Sequence, residues 1–133
     1  MTTQQEDRQY VFDVALAHIR EQGEPCVVTN SERSVACAYK STDGKSCAFA
    51  PFIKEYGEEL EMTSAESLVA RTPERIDGRA VASGSDFCQR IQRCHDCPSM
   101  STTFLADYER NMSKLASKYD LSYTPPEEKH NDN

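Results

Sequence analysis

Residues 34–50, SVACAYKSTDGKSCAFA, hold two short alternating runs, Ser34–Lys40 and Lys45–Ala50, separated by Ser41-Thr42-Asp43-Gly44. Alternation with a period of two marks a strand, because successive side chains point to opposite faces. Asp-Gly between two such runs is a strong hairpin signal, since both central residues of a type I′ turn need φ > 0. The stretch predicts a β-hairpin turning at Asp43-Gly44. A lone two-stranded hairpin is marginal in water, so one of its faces is expected to rest on helices.

Helical patterns lie on both sides of it. Upstream, Phe12, Ala15, Leu16 and Ile19 fall at i, i+3, i+4 and i+7 with Val11 beside them, while Asp13, Arg20 and Glu21 face away. This predicts an amphipathic helix over Tyr10–Gln22, closed by Gly23 and Pro25. Downstream, Pro51–Tyr56 reads as a helical turn and Glu58–Met62 as an acidic, irregular stretch. Thr63-Ser64-Ala65-Glu66 reads as a capping box that opens a short helix to about Arg71. Thr72-Pro73 ends that helix, and Gly78 and Gly84 suggest a loose connection. Ser85 or Asp86 then caps a helix holding Phe87, Ile91 and Cys94, stopped by Pro98. The longest stripe is Phe104, Leu105, Tyr108, Met112, Leu115, Ala116 and Tyr119, with Asp107, Glu109, Arg110, Lys114 and Lys118 on the opposite face. The expected fold class is α+β, a two-stranded antiparallel β-hairpin packed against a bundle of about four helices. It forms one domain over residues 10–123, between a disordered N-terminus, 1–9, and a disordered tail, 124–133.

The 133-residue chain is 38% hydrophobic, with a net charge of -7, which disfavours direct binding to nucleic acid and permits binding to a basic protein surface. Residues 1–9 lack the apolar segment of a signal peptide, and no run of about 18 apolar residues occurs, so a soluble cytoplasmic protein is expected. In a reducing compartment the six cysteines are expected as thiols.

Gly44-Lys45-Ser46 resembles the end of a phosphate-binding loop, but Tyr39 stands where such a loop needs glycine, and a strand is expected to follow. His95-Asp96 resembles the doublet of metal-dependent phosphohydrolases, but a doublet alone cannot fill a metal's coordination sphere, and the remaining histidines are His18 on an early helix and His130 in the expected tail. Such a hydrolase is the third-ranked reading. Cys94 and Cys97 form a C-x-x-C that could contribute two ligands to a structural zinc. Cys37, Cys47 or Cys26 could supply the others. With a two- or four-residue loop, however, Cys37 and Cys47 would point to opposite faces, which disfavours a shared ion; only a three-residue or bulged loop would bring both to one side. No metal or cofactor is expected, and packed thiols are the preferred reading. No nucleophile–base arrangement is legible, and the chain is not expected to be an enzyme.

Two charged stretches remain. Glu55, Glu58, Glu59, Glu61 and Glu66 form an acidic cluster, read as a surface for a partner protein. Arg71, Arg75, Arg79, Arg90 and Arg93 form a basic stretch, of which Arg71, Arg75 and Arg79, with Tyr39, make the alternative site, for a phosphorylated ligand such as a nucleotide signal. Solvated faces that attract one another are the ordinary explanation of both stretches.

Cys37-Ala38-Tyr39, Asp43-Gly44 and Cys47-Ala48, followed by Phe52-Ile53 and Tyr56, resemble an uncharacterised family of small proteins encoded by tailed bacteriophages. His18-Ile19-Arg20-Glu21-Gln22-Gly23 matches that family's helix-ending phrase, and Ile91-Gln92-Arg93-Cys94-His95-Asp96 its later "QxxHD"-like phrase, before a long amphipathic helix. Ala50-Pro51 departs from the family's glycine-rich turn, and Cys94 and Cys97 are peculiar to this chain. The resemblance implies expression in the cytoplasm of an infected bacterium. It also implies host takeover or counter-defence as a role. Joined with the charge pattern, the leading expectation is a non-catalytic accessory protein that binds and inhibits a host protein, such as a defence component, through the acidic surface.

Overall fold

The computed structural model describes residues 2–23, 27–29, 35–37, 39, 46–61, 63–95 and 104–126. Among them are five α-helices: α1 (Gln4–Gln22), α2 (Ala65–Arg71), α3 (Gly78–Ser83), α4 (Ser85–His95) and α5 (Phe104–Tyr119). Short 3-10 turns at Ala50–Phe52, Glu58–Leu60 and Pro73–Arg75 join them.

Helix α1 begins well before the expected Tyr10, so residues 4–9 belong to the folded domain rather than to a disordered N-terminus. Thr3 and Glu6 form a reciprocal capping box: the Thr3 hydroxyl accepts from the Glu6 amide at 3.0 Å, and the Glu6 carboxylate from the Thr3 amide at 2.8 Å. Two otherwise unpaired backbone donors are thereby satisfied. Gly23 closes the helix at φ 76°, donating to the Ile19 carbonyl at 2.7 Å. The expected stripe, Val11, Phe12, Ala15, Leu16 and Ile19, is buried. Burying a Val-, Ile- or Phe-sized side chain is worth about 1.5–3 kcal/mol.

The expected fold class is overturned: the protein is helical, not a hairpin packed on helices. The proposed second strand does not form. Cys47, Ala48, Phe49 and Ala50 are buried in succession, whereas a strand lying on one layer buries every second residue. Ala50 N turns back to Cys47 O at 3.2 Å and Phe52 N to Phe49 O at 3.0 Å, closing a 3-10 turn around Pro51, which cannot donate to a ladder. Among the described residues a backbone bond from Cys47 N to Tyr39 O at 3.0 Å ties this segment to the first run. Val35–Cys37 (β2) pairs instead with upstream Val27–Thr29 (β1), antiparallel over three residues, too short to form a layer. The Asp43-Gly44 turn lies outside the described residues. With the hairpin gone, the opposed-face argument for Cys37 and Cys47 lapses.

A second difference is α3, where a loose connection was expected. Asp77 caps it, its carboxylate accepting from the Arg79 amide at 2.8 Å, so Gly78 and Gly84 flank a real turn of helix. Helix α2 starts at Ala65 with Ser64, not Thr63, as its cap, and Gln89 of α4 accepts from the Glu66 amide at 3.0 Å. Part of that helix's capping is therefore tertiary.

Helices α1, α4 and α5 enclose the core, with Phe87, Ile91, Phe104, Tyr108 and Met112 buried among α1 side chains and Phe49 and Phe52. Residues 121–124 return along α1. Gln9 pairs with both backbone groups of Ser122 at 2.8 and 3.0 Å, and the Tyr123 ring meets Phe12 edge-on. Residues 127–133 of the expected tail, Cys26 and Cys97 lie outside the described residues.

Candidate functional site

The acidic stretch separates into inward and outward members. Glu61 is turned in, its carboxylate accepting from the Tyr39 amide at 2.8 Å and from the Tyr56 hydroxyl. It holds the chain around Tyr39 to the 3-10 turns. Glu55, Glu59 and Glu66 are exposed. Glu59 lies 3.3 Å from Arg75, and its own backbone amide, with that guanidinium, holds the carboxyl below the usual range. The carboxylates of Glu55 and Glu66 make no hydrogen bond or ion pair with any described residue. The Glu58 side chain lies outside the described residues.

The arginine stretch does not converge on a site. Arg79 donates to Asp7 at 2.9 Å and to the Glu6 carbonyl at 3.3 Å, and its guanidinium lies 4.2 Å from the Tyr10 ring centroid. Arg75 is bound to the Glu55 carbonyl at 3.0 Å and to Glu59. Tyr39 is buried, with its hydroxyl donating to the Thr63 carbonyl. Arg71 alone of this set faces solvent without such ties. Two of the three guanidiniums are thus already occupied in joining α3 to α1 and the Pro73–Arg75 turn to residues 55–59.

The thiols Cys47, Cys88 and Cys94 are buried. Burial pushes the Cys88 thiol up to about 11, only partly countered by Ser83, which makes it a packing group rather than a nucleophile. His95 is fully buried, edge-on to Phe104 at 5.7 Å, in the core rather than at a surface metal site. No group of three or more metal-ligating side chains occurs among the described residues.

One constellation was not legible in the sequence. His18 Nε2 lies 2.8 Å from Ser46 Oγ, the distance of a nucleophile–base pair. The same nitrogen lies 3.2 Å from the Ser46 carbonyl, and Gln22, one turn along α1, grips the Ser46 amide and carbonyl at 2.8 and 2.9 Å. Catalysis would further need a group orienting the other ring nitrogen and donors for an oxyanion. Among the described residues no group is found that orients the other ring nitrogen of His18. The four contacts fasten Ser46 to α1.

A second unread feature is a groove of about 300 Å³ between α4 and α5, lined by Arg90, Arg93, Cys94, Asn111, Lys114, Leu115 and Lys118. The helices run antiparallel: the Tyr119 hydroxyl reaches Asp86 at the start of α4 (3.2 Å), and the Asn111 amide reaches the Cys94 carbonyl near its end (3.4 Å). Arg90 and Arg93 come from one wall, Lys114 and Lys118 from the other. Among the described residues no carboxylate lines the groove. Among the described residues no buried side-chain nitrogen or oxygen lacks a partner.

Comparison with protein-family models, with curated proteins and with solved structures finds no match. No helix among the described residues is long and apolar enough to cross a membrane.

Proposed function

We propose that this protein is a non-catalytic binding protein that engages a basic surface on another protein through Glu55, Glu59 and Glu66. The observation that supports this reading is the exposure of these three carboxylates, two of them without a described partner, in a chain of net charge -7. Such a surface steers a basic partner and sets salt-dependent association. Glu61 leaves the proposed surface, because its carboxylate is used internally. The resemblance to small phage proteins makes the expected partner a protein of the infected host, inhibited by being covered. Phosphate binding at Tyr39, Arg71, Arg75 and Arg79 is disfavoured by the internal use of Tyr39, Arg75 and Arg79.

The test is capture of host proteins on immobilised wild-type chain and on a Glu55→Lys/Glu59→Lys/Glu66→Lys variant. These positions are exposed, so the variant is expected to fold, with little change in stability. A basic protein retained by the wild type, released by rising salt and lost with the triple change is the expected result. Retention of the same proteins by both chains would refute the acidic surface as the interface.

A further inference from the structure

We propose that the groove between α4 and α5 binds a small organic phosphate carrying at least two negative charges. Its phosphate oxygens would lie between Arg90 and Arg93 on one wall and Lys114 and Lys118 on the other, with its less polar body over Leu115.

The charge distribution points this way. The chain is acidic overall, with 22 Asp and Glu against 15 Lys and Arg, yet among the described residues four cations and no carboxylate line this concavity. Outside the groove Arg20 is matched to Glu109, Arg75 to Glu59, Arg79 to Asp7 and Arg110 to Asp107, while Arg8 lies over the Phe87 and Tyr119 rings and Arg71 faces solvent. In the groove Arg90 alone has such a partner, Asp86 at 3.1 Å, through a single nitrogen. Arg93, Lys114 and Lys118 make no hydrogen bond or ion pair with any described residue, although Asp86 exerts a longer-range pull from Lys118. Like charges held on two facing walls repel one another, and an anion between them removes that repulsion.

Shape narrows the ligand. Spacings of i, i+3 on α4 and i, i+4 on α5 put each pair of cations on one helix face. Antiparallel packing then sets the two faces opposite each other, so a phosphate can be approached from both sides. Guanidinium forks give two-point contacts, and lysines add mobile point charges. The floor is buried Leu115 and Cys94, which suits an apolar or aromatic moiety rather than a bare inorganic ion. A volume of about 300 Å³ lies at the small end of ligand sites, the size of a mononucleotide or less. The net charge of -7 opposes a long polyanion, which would extend beyond the groove into the protein's negative field.

ADP serves as the probe, measured by isothermal titration calorimetry with the full chain at about 50 mM salt, where exposed charges are weakly screened. ADP is expected to bind, and more tightly than inorganic pyrophosphate, which has nothing to rest on Leu115. Arg93→Gln/Lys114→Gln is expected to weaken it by at least tenfold, whereas Arg110→Gln, on the same helix but outside the groove, changes it less than twofold. Because Arg93 and Lys114 are exposed, circular dichroism of the double variant should match the wild type. In the wild type itself, ADP is expected to slow acetylation of Lys114 and Lys118 relative to Lys54. Absence of ADP binding up to about 1 mM would overturn the proposal. So would binding unaffected by the double change, or stronger binding to phosphatidic-acid vesicles or a single-stranded oligonucleotide that ADP does not displace.

Discussion

Glu109 offers a sharp test of how this fold is held together. It is buried on α5, 8% exposed, and faces Arg20 of α1 in a two-point contact at 2.5 and 2.7 Å. The Tyr123 hydroxyl donates to the same carboxylate at 2.7 Å, and Arg20 also reaches the Thr124 carbonyl at 2.7 Å. One carboxylate therefore joins the first helix, the last helix and the returning chain. Burial alone would raise its pKa, but hydrogen bonds from Arg20 and Tyr123 prevail and leave it below the usual carboxylate value. Exposed ion pairs are worth about 0–1 kcal/mol, and removing one partner of a fully buried pair costs about 3–5 kcal/mol. The Arg20 side chain keeps 29% of its surface in water and can partly rehydrate, which places Glu109→Ala between those limits. The expected loss is about 2 kcal/mol, a Tm decrease of roughly 8 °C for a domain of this size. A carboxyl with a depressed folded-state pKa stabilises above its unfolded value, and that contribution is lost as pH falls through the folded value. The stability gap between wild type and Glu109→Gln should therefore be constant from neutral pH down to about 4.5 and shrink below it. Urea unfolding across that range measures the gap. A difference under about 0.5 kcal/mol at neutral pH, the size of an ordinary surface substitution, would refute the reasoning. So would a gap that persists undiminished into the acid transition.

Met112 is fully buried at the centre of the α5 stripe, so Met112→Ala should cost about 2–5 kcal/mol in denaturant unfolding. A loss within surface-substitution range would show that α5 does not pack as described. Cys88, with its thiol at about 11, should resist iodoacetamide in the native protein at pH 8, where only about one thiol in a thousand is ionised. Labelling of Cys88 as fast as that of a denatured control, read by peptide mass spectrometry, would contradict its burial.

The apolar stripes of α1 and α5 were legible because 3.6-residue periodicity survives any choice of neighbours. Phe12 and Ile19, Tyr108 and Met112 all lie inward as their spacing requires. The start of α1 had a legible signal in the Thr3-x-x-Glu6 capping pattern, but residues 4–9 carry no apolar stripe, and Gln5 and Gln9 bind backbone far along the chain rather than a hydrophobic neighbour. Alternation misled at Cys47–Ala50, where consecutive small and apolar residues are all enclosed, and the Pro51 turn overrides the local strand pattern. Glu109 reads as a solvent-face residue until Arg20, far away in sequence, is placed against it. The acidic cluster was visible as composition, but the inward turn of Glu61 depends on Tyr39 and Tyr56. The basic groove needed two helices to be juxtaposed. Its cations are spaced regularly within α4 and within α5, but nothing local sets one helix against the other.

The contacts between Gln5 and the carbonyls of Tyr119 and Asp120, at 2.9 Å each, and between Gln9 and Ser122, have a kinetic consequence. On the ribosome α1 is made before α3, α4 and α5, and its docking partners follow it in the chain, Ser122 lying 113 residues after Gln9. Until they clear the exit tunnel, the nascent helix has an apolar face and no C-terminal helix to cover it. Closing so long a loop makes folding slower than in a bundle whose neighbours in space are neighbours in sequence. During elongation the face of Phe12, Leu16 and Ile19 is a natural target for chaperones, and the cooperative domain forms only after the segment bearing Ser122 is free.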